Sequence, residues 1–209
     1  MKALILVDIQ NDFVEGGALA VPDGPAVVEK ANRLQPFYDL VVATQDWHPV
    51  KHGSFAANHP DRQPGEFIEL GGLPQILWPV HCVQDSKGAE FVSGLNRQQW
   101  NAVFQKGTDP KIDSYSGFFD NGRKKATGLG DYLKNNNVGE VYVMGLATDY
   151  CVKFTALDAA SLGFKTFLIA DACRGVNIQP GDVERAVDEM KNQGVGILQT
   201  YDILKEPSL

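Results

Sequence analysis

Hydrophobic positions fall into short unbroken runs, separated by turn residues and by stretches with helical spacing. Ala3–Val7, Leu40–Ala43, Ala102–Phe104, Val141–Met144, Thr166–Ala170 and Gly196–Leu198 lack the alternation of a half-buried strand. Strands buried on both faces read this way, the habit of parallel sheets. Between the runs, Asp182–Gln193 places Val183, Ala186, Val187 and Met190 at i, i+3, i+4 and i+7, with Gly194 where a helix ends. Asp149–Leu162 carries a stripe of Val152, Thr155, Ala156 and Ala159, with Thr148 or Asp149 as its cap and Gly163 as its stop. Pro25–Leu34 and Thr127–Asn136 complete the helical set. Alternating strands and helices predict an α/β fold built on a mostly parallel sheet. Residues 44–100 break the rhythm. They are rich in Pro, His and Gly, and a long structured excursion of this kind is usually functional.

In open α/β sheets ligands bind beyond the carboxyl ends of the strands. Those ends carry Asp8, then Gln45-Asp46-Trp47-His48, then Lys106, then Gly145–Cys151. Cys151 sits at a strand-to-helix turn, where the positive end of the helix favours thiolate and free N–H groups hold an oxyanion. Asp8 ends a buried run, where a carboxylate is costly unless paired or protonated. Asp8, Lys106 and Cys151 together supply a base, a cation and a nucleophile for covalent acyl transfer. Each has a bland reading beside it: a turn-capping Asp, a solvated Lys, a small buried thiol.

Asp46 and His48, two apart in extended chain, point to one side. All four histidines (His48, His52, His59 and His81) lie in the irregular excursion. With one more His, the pair makes a two-His-one-carboxylate set suited to Zn or Fe(II). Phe13, Trp47, Trp78, Tyr115 and Tyr150 lie near these positions in sequence, as core or as pocket lining.

The 209 residues fit one domain, 1–209, with room for a core that needs no disulfides. A net charge of −7 argues against nucleic acid or an anionic membrane as partner. Three cysteines without CxxC spacing fit a reduced, cytoplasmic chain. The N-terminal apolar run is too short for a signal segment, and no stretch approaches the roughly 20 apolar residues of a membrane span. A homo-oligomer is left open.

Six motifs run along the chain: Leu6-Val7-Asp8-Ile9-Gln10-Asn11-Asp12-Phe13, Thr44-Gln45-Asp46-Trp47-His48-Pro49, Trp78-Pro79-Val80-His81-Cys82, Gln105-Lys106-Gly107, Asp113-Ser114-Tyr115-Ser116 and Gly145-Leu146-Ala147-Thr148-Asp149-Tyr150-Cys151. In that order the chain resembles the nicotinamidase/pyrazinamidase family of isochorismatase-like cysteine hydrolases. The resemblance implies a single-domain, six-stranded, mainly parallel sheet with helices on both faces. It implies Asp8, Lys106 and Cys151 as catalytic triad, and Ala147 and Cys151 as oxyanion-hole donors after a cis Leu146–Ala147 bond. Asp46, His48 and His81 become the ligands of one divalent metal, Zn with Fe or Mn as alternatives, and His52 a candidate further ligand. Phe13, Trp78, Tyr115 and Tyr150 become the ring-binding aromatics. The implied reaction is metal-dependent hydrolysis of nicotinamide through a cysteine thioester, as in NAD salvage, with pyrazinamide as a further substrate. Isochorismate needs neither thiol nor metal, whereas a carbamoyl amide would use the same triad. A catalytically silent member of the fold would have no need of all three triad residues.

Overall fold

A computed structural model describes residues 1–205. Its main sheet has six strands in the order β5-β2-β1-β6-β7-β8, all neighbours parallel. They are β1 (Lys2–Val7), β2 (Leu40–Asp46), β5 (Trp100–Lys106), β6 (Glu140–Leu146), β7 (Lys165–Arg174) and β8 (Gly196–Leu198), with β3 and β4 set apart. All six follow the apolar runs. The central strands β1, β2 and β6 are buried almost throughout, which is why they show no alternation. β5 is an edge strand. Trp100, Ala102 and Phe104 are half-buried on one face, and Phe104 meets Tyr132 at 5.4 Å between ring centroids. Asn101, Val103 and Gln105 are exposed on the other, so only a three-residue core of this strand stands out in the sequence.

Helices flank the sheet. They are α1 (Ala26–Leu34), α2 (Leu129–Asn135), α3 (Lys153–Ser161), α4 (Asp182–Asn192) and α5 (Thr200–Leu204). α1 packs with α5 and α3 with α4. α5 is the helix that periodicity could not find, because five residues hold barely one turn. A capping box between Gln199 and Asp202 closes it, and Asp171 Oδ1 accepts from Thr200 N and Oγ1. The helix expected from Asp149 starts later: residues Thr148–Val152 form one wide π-type turn and α3 begins at Lys153. Neither Thr148 nor Asp149 caps it.

The excursion is organised rather than coiled. It contains an antiparallel hairpin, β3 (Phe67–Leu70) and β4 (Leu73–Ile76), turned by two glycines with positive φ, Gly71 and Gly72. Pro74 and the short length hid both strands. Single bridges between His48 and Val83 and between Phe55 and Trp78 fold the rest back toward the sheet. Among the described residues no helix is long and apolar enough to cross a membrane.

Candidate active site

β1 lies at the centre of the sheet, between β2 and β6, where the strand order reverses. The crevice beyond their carboxyl ends is the ligand site of such sheets. Asp8 follows β1, Asp46 ends β2, Lys106 ends β5 and Cys151 lies in the turn after β6. The strand ends bring all four together.

Lys106 is the centre of the cluster. Its buried ammonium lies 2.6 Å from Asp46 Oδ1 and 2.9 Å from Asp8 Oδ2, and donates to Ser114 O at 3.0 Å and Cys151 Sγ at 3.3 Å. The β2–β5 register pairs Asp46 with Lys106 directly. Burial works against the charged lysine, but the two carboxylates outweigh it and hold Lys106 well above its ordinary range. Burial raises the Asp8 carboxyl against the pull of Lys106, while Thr44 Oγ1 donates to Asp8 Oδ1 at 2.6 Å. Burial also pushes the Cys151 thiol well up, against Lys106. Thiolate stabilisation at a helix start, expected from sequence, is therefore outweighed. The residue is held as a thiol, and to act as a nucleophile it would need a base for its proton. Asp8 is that neighbour: it, Asp46 and Cys151 bring one polar atom each within 4.8 Å of one another.

Asp46 faces two ways. While Oδ1 holds Lys106, Oδ2 lies 3.3 Å from His48 Nε2 and 3.7 Å from His81 Nε2. Those three residues form a buried group with ligand atoms within 4.8 Å of one another. Their second contacts test whether a metal fits. His48 Nδ1 is 2.9 Å from Gly107 O, and His81 Nδ1 is 2.7 Å from Pro79 O. A carbonyl only accepts, so each Nδ1 carries a proton, and in the neutral ring each Nε2 is left with a lone pair turned toward Asp46. A carboxylate and two so-oriented imidazoles fit a divalent cation. Burial resists charge on His48, yet the adjacent Asp46 charge raises its pKa. Burial does not win at Asp46 either, where Lys106 and His48 hold the carboxyl well below its usual range.

Gln10 fixes the backbone of this two-faced residue. Its Nε2 donates to Asp46 O and its Oε1 accepts from Asp46 N, both at 2.8 Å. Gly107 is required at two levels: its φ is +66°, and a Cβ there would collide with the His48 ring. Gly107→Ala is expected to weaken zinc binding about 10–100-fold, as loss of an outer-sphere partner does. Isothermal titration of metal-free protein with zinc measures it, and unchanged affinity would show that His48 does not depend on this glycine.

His52 flanks the set, and its buried Nε2 has no hydrogen-bond partner among the described residues. Its ring is 4.3 Å from that of His48, its Nδ1 pairs with Ser54 Oγ at 2.7 Å, and its ligand atom groups with His48 and Asp113. Burial and the His48 charge lower its pKa to about 4, so it is neutral at neutral pH. His59 lies apart, with Nε2 against Gly53 O.

The cleft above Cys151 is narrow and partly open to solvent, with about 400 Å³ of space between its walls and its mouth. Phe13, Trp78, Tyr115 and Tyr150 line it, as do Ala147 and Cys151. Trp47, grouped with them by sequence, is not part of the lining. Trp78 meets Tyr150 edge-on at 4.8 Å, and the Tyr115 hydroxyl accepts from Trp78 Nε1 and Gln75 Nε2. The Leu146–Ala147 bond is cis. Sequence reasoning missed three further lining residues, Leu19, Asp113 and Val176. Asp113 had a signal in its acidic motif, whereas Leu19 and Val176 are apolar residues in loops and carried none. Two non-glycine residues here have positive φ, Asp8 at 47° and Cys82 at 45°, a conformation that costs on the order of 1–3 kcal/mol and clusters at functional sites. Cys82 ties the site together through its backbone: its N–H donates to Asp12 Oδ2 and its carbonyl accepts from His48 N. Cys173 is a core thiol that burial pushes up to about 12.

Residues 2–202 match the isochorismatase domain model. The chain is 53% identical to the nicotinamidase of Escherichia coli over 205 residues, covering 96% of each. Its fold superposes on the nicotinamidase/pyrazinamidase of Acinetobacter baumanii with a TM-score of 0.94 and 47% identity, covering 97% of both chains. A pyrazinamidase of Pyrococcus horikoshii solved with zinc matches at a TM-score of 0.76 and 41% identity, over 95% of this chain and 98% of that one.

Proposed function

We propose, from the premise that this chain belongs to the isochorismatase family, that it is an amidohydrolase converting nicotinamide to nicotinate and ammonia. The observation that carries the reading is the meeting of Asp8, Lys106 and Cys151 under an aromatic cleft, next to three metal-competent side chains. A small flat amide suits that cleft. The raised Asp8 carboxylate takes the Cys151 proton as the sulfur attacks the carboxamide carbon. Lys106 stays charged and stabilises the thiolate as it forms. The backbone N–H groups of Ala147 and Cys151 receive the developing oxyanion, a role worth roughly 3–4 kcal/mol per donor. Asp8 then returns the proton to the leaving ammonia. The thioester on Cys151 is hydrolysed by water, with Asp8 again as base, and nicotinate departs.

Asp46, His48 and His81 would hold one divalent ion, zinc by the choice of donors with iron and manganese as alternatives. Such an ion would supply a Lewis-acidic anchor for the pyridine nitrogen. Phe13, Trp78, Tyr115 and Tyr150 sandwich and border the ring. Pyrazinamide, with a second ring nitrogen in nearly the same outline, fits the same site. Three buried free thiols agree with a reducing cytoplasm.

The test is a coupled assay of purified protein with nicotinamide. Equimolar ammonia and nicotinate are expected. Metal-loaded protein that releases neither would overturn the substrate assignment.

A further inference from the structure

Asp149 lies in the nucleophile turn, two residues before Cys151, and is only 6% exposed. Its carboxylate neither caps α3 nor joins the Asp8–Lys106–Cys151 cluster. One oxygen accepts from Val176 N at 2.9 Å and the other from Asn177 N at 2.7 Å. Both donors belong to the segment between β7 and α4, far along the chain. That segment fits tightly. A Cβ at Gly175 would collide with Val183 and crowd the Asp149 carboxylate, and Asn177, at φ 52°, uses its own Oδ1 to accept from Val183 N. Val176 lines the cleft together with Ala147, Tyr150 and Cys151 and packs against the core. One five-residue turn therefore carries the sulfur and holds a second wall of the pocket.

We propose that Asp149 is a positioning residue and Val176 a specificity-determining one for pyridine carboxamides. The two hydrogen bonds set the distance between the Cys151 sulfur and the Val176 wall, and with it which ring substituents enter. This rests on the reaction proposed above. The geometry suits a carboxylate: the two backbone N–H groups meet different oxygens, and both of those atoms must accept. An asparagine keeps the shape but turns an NH₂ toward one of the donors, leaving a buried N–H without a partner. A displaced wall alters binding and discrimination, whereas Asp8, Lys106 and Cys151 keep their contacts with one another.

The experiment compares wild type, Asp149→Asn and Val176→Ala on nicotinamide and its four ring-methyl isomers. Amide hydrogen exchange at Val176 and Asn177 is measured in parallel. Both variants are expected to raise KM for nicotinamide about tenfold, a larger change than that in kcat. Both are expected to improve relative kcat/KM for the same methyl isomer, because they relax the same wall. Asp149→Asn is further expected to speed exchange of the two amides tenfold or more. Asp149→Asn with preference order and exchange unchanged, or with only its melting temperature lowered, would overturn the proposal. If Asp149→Asn does not fold, Val176→Ala decides the wall: an unchanged preference order defeats it. Wild type inert toward nicotinamide would defeat the reaction instead, and the exchange comparison, which needs no substrate, would still decide the pin.

Discussion

Cys151→Ala is expected to lower ammonia release from nicotinamide by on the order of 10⁴-fold or more, as loss of a covalent nucleophile does. The reason is specific to this cluster. The thiol is buried, held protonated by that burial, and contacted by Lys106 at 3.3 Å with Asp8 close by. Nothing else in the cleft combines a nucleophilic atom with a base and a cation. Cys82 is buried outside the cleft lining, and Cys173 is a core residue of β7. Ring binding uses the aromatic walls, so nicotinamide affinity of the alanine variant is expected within about threefold of wild type. Stopped assays and equilibrium titration separate the two quantities. Turnover surviving in the variant would remove Cys151 from the mechanism. Binding lost together with turnover would instead mean that the sulfur helps to shape the cleft.

Metal removal is the second large effect, and Asp46 makes it informative. Chelation is expected to reduce nicotinamide hydrolysis by roughly 100-fold or more, with recovery on adding zinc, iron or manganese. His81→Ala should mimic chelation and recover in part at high metal concentration, because the triad is left whole. Asp46→Asn should not recover. It removes a metal ligand and also the 2.6 Å partner of a buried lysine. Breaking one side of a buried ion pair costs about 3–5 kcal/mol, so this variant is also expected to melt at a lower temperature. Metal content, melting temperature and activity of the two variants check the difference. Equal rescue of both would show that Lys106 does not depend on Asp46.

The chain's own letters determined a good deal. Unbroken apolar runs such as Ala3–Val7 and Val141–Met144 reveal strands buried on both faces, because hydrophobic burial leaves no alternating polar side. With helical spacing between them they dictate a parallel sheet, and the sheet dictates that its strand ends hold the chemistry. Asp8, Lys106 and Cys151 were visible for that reason. The motif around His81 was visible only by resemblance, since a lone His in a proline-rich loop has no periodicity to place it.

Tertiary structure decided what depends on distance between remote segments. The β2–β5 register sets Lys106 against Asp46 and makes one carboxylate serve both that cation and the candidate metal site. Burial from all sides, not the local helix start, decides that Cys151 rests as a thiol. The same holds for Asp149, which local reading makes a helix cap. Its partners lie at Val176 and Asn177, and no local pattern announces a hydrogen bond across that interval. Local periodicity reports which face a residue shows to the core. Which residue it meets there depends on the packing of the whole chain.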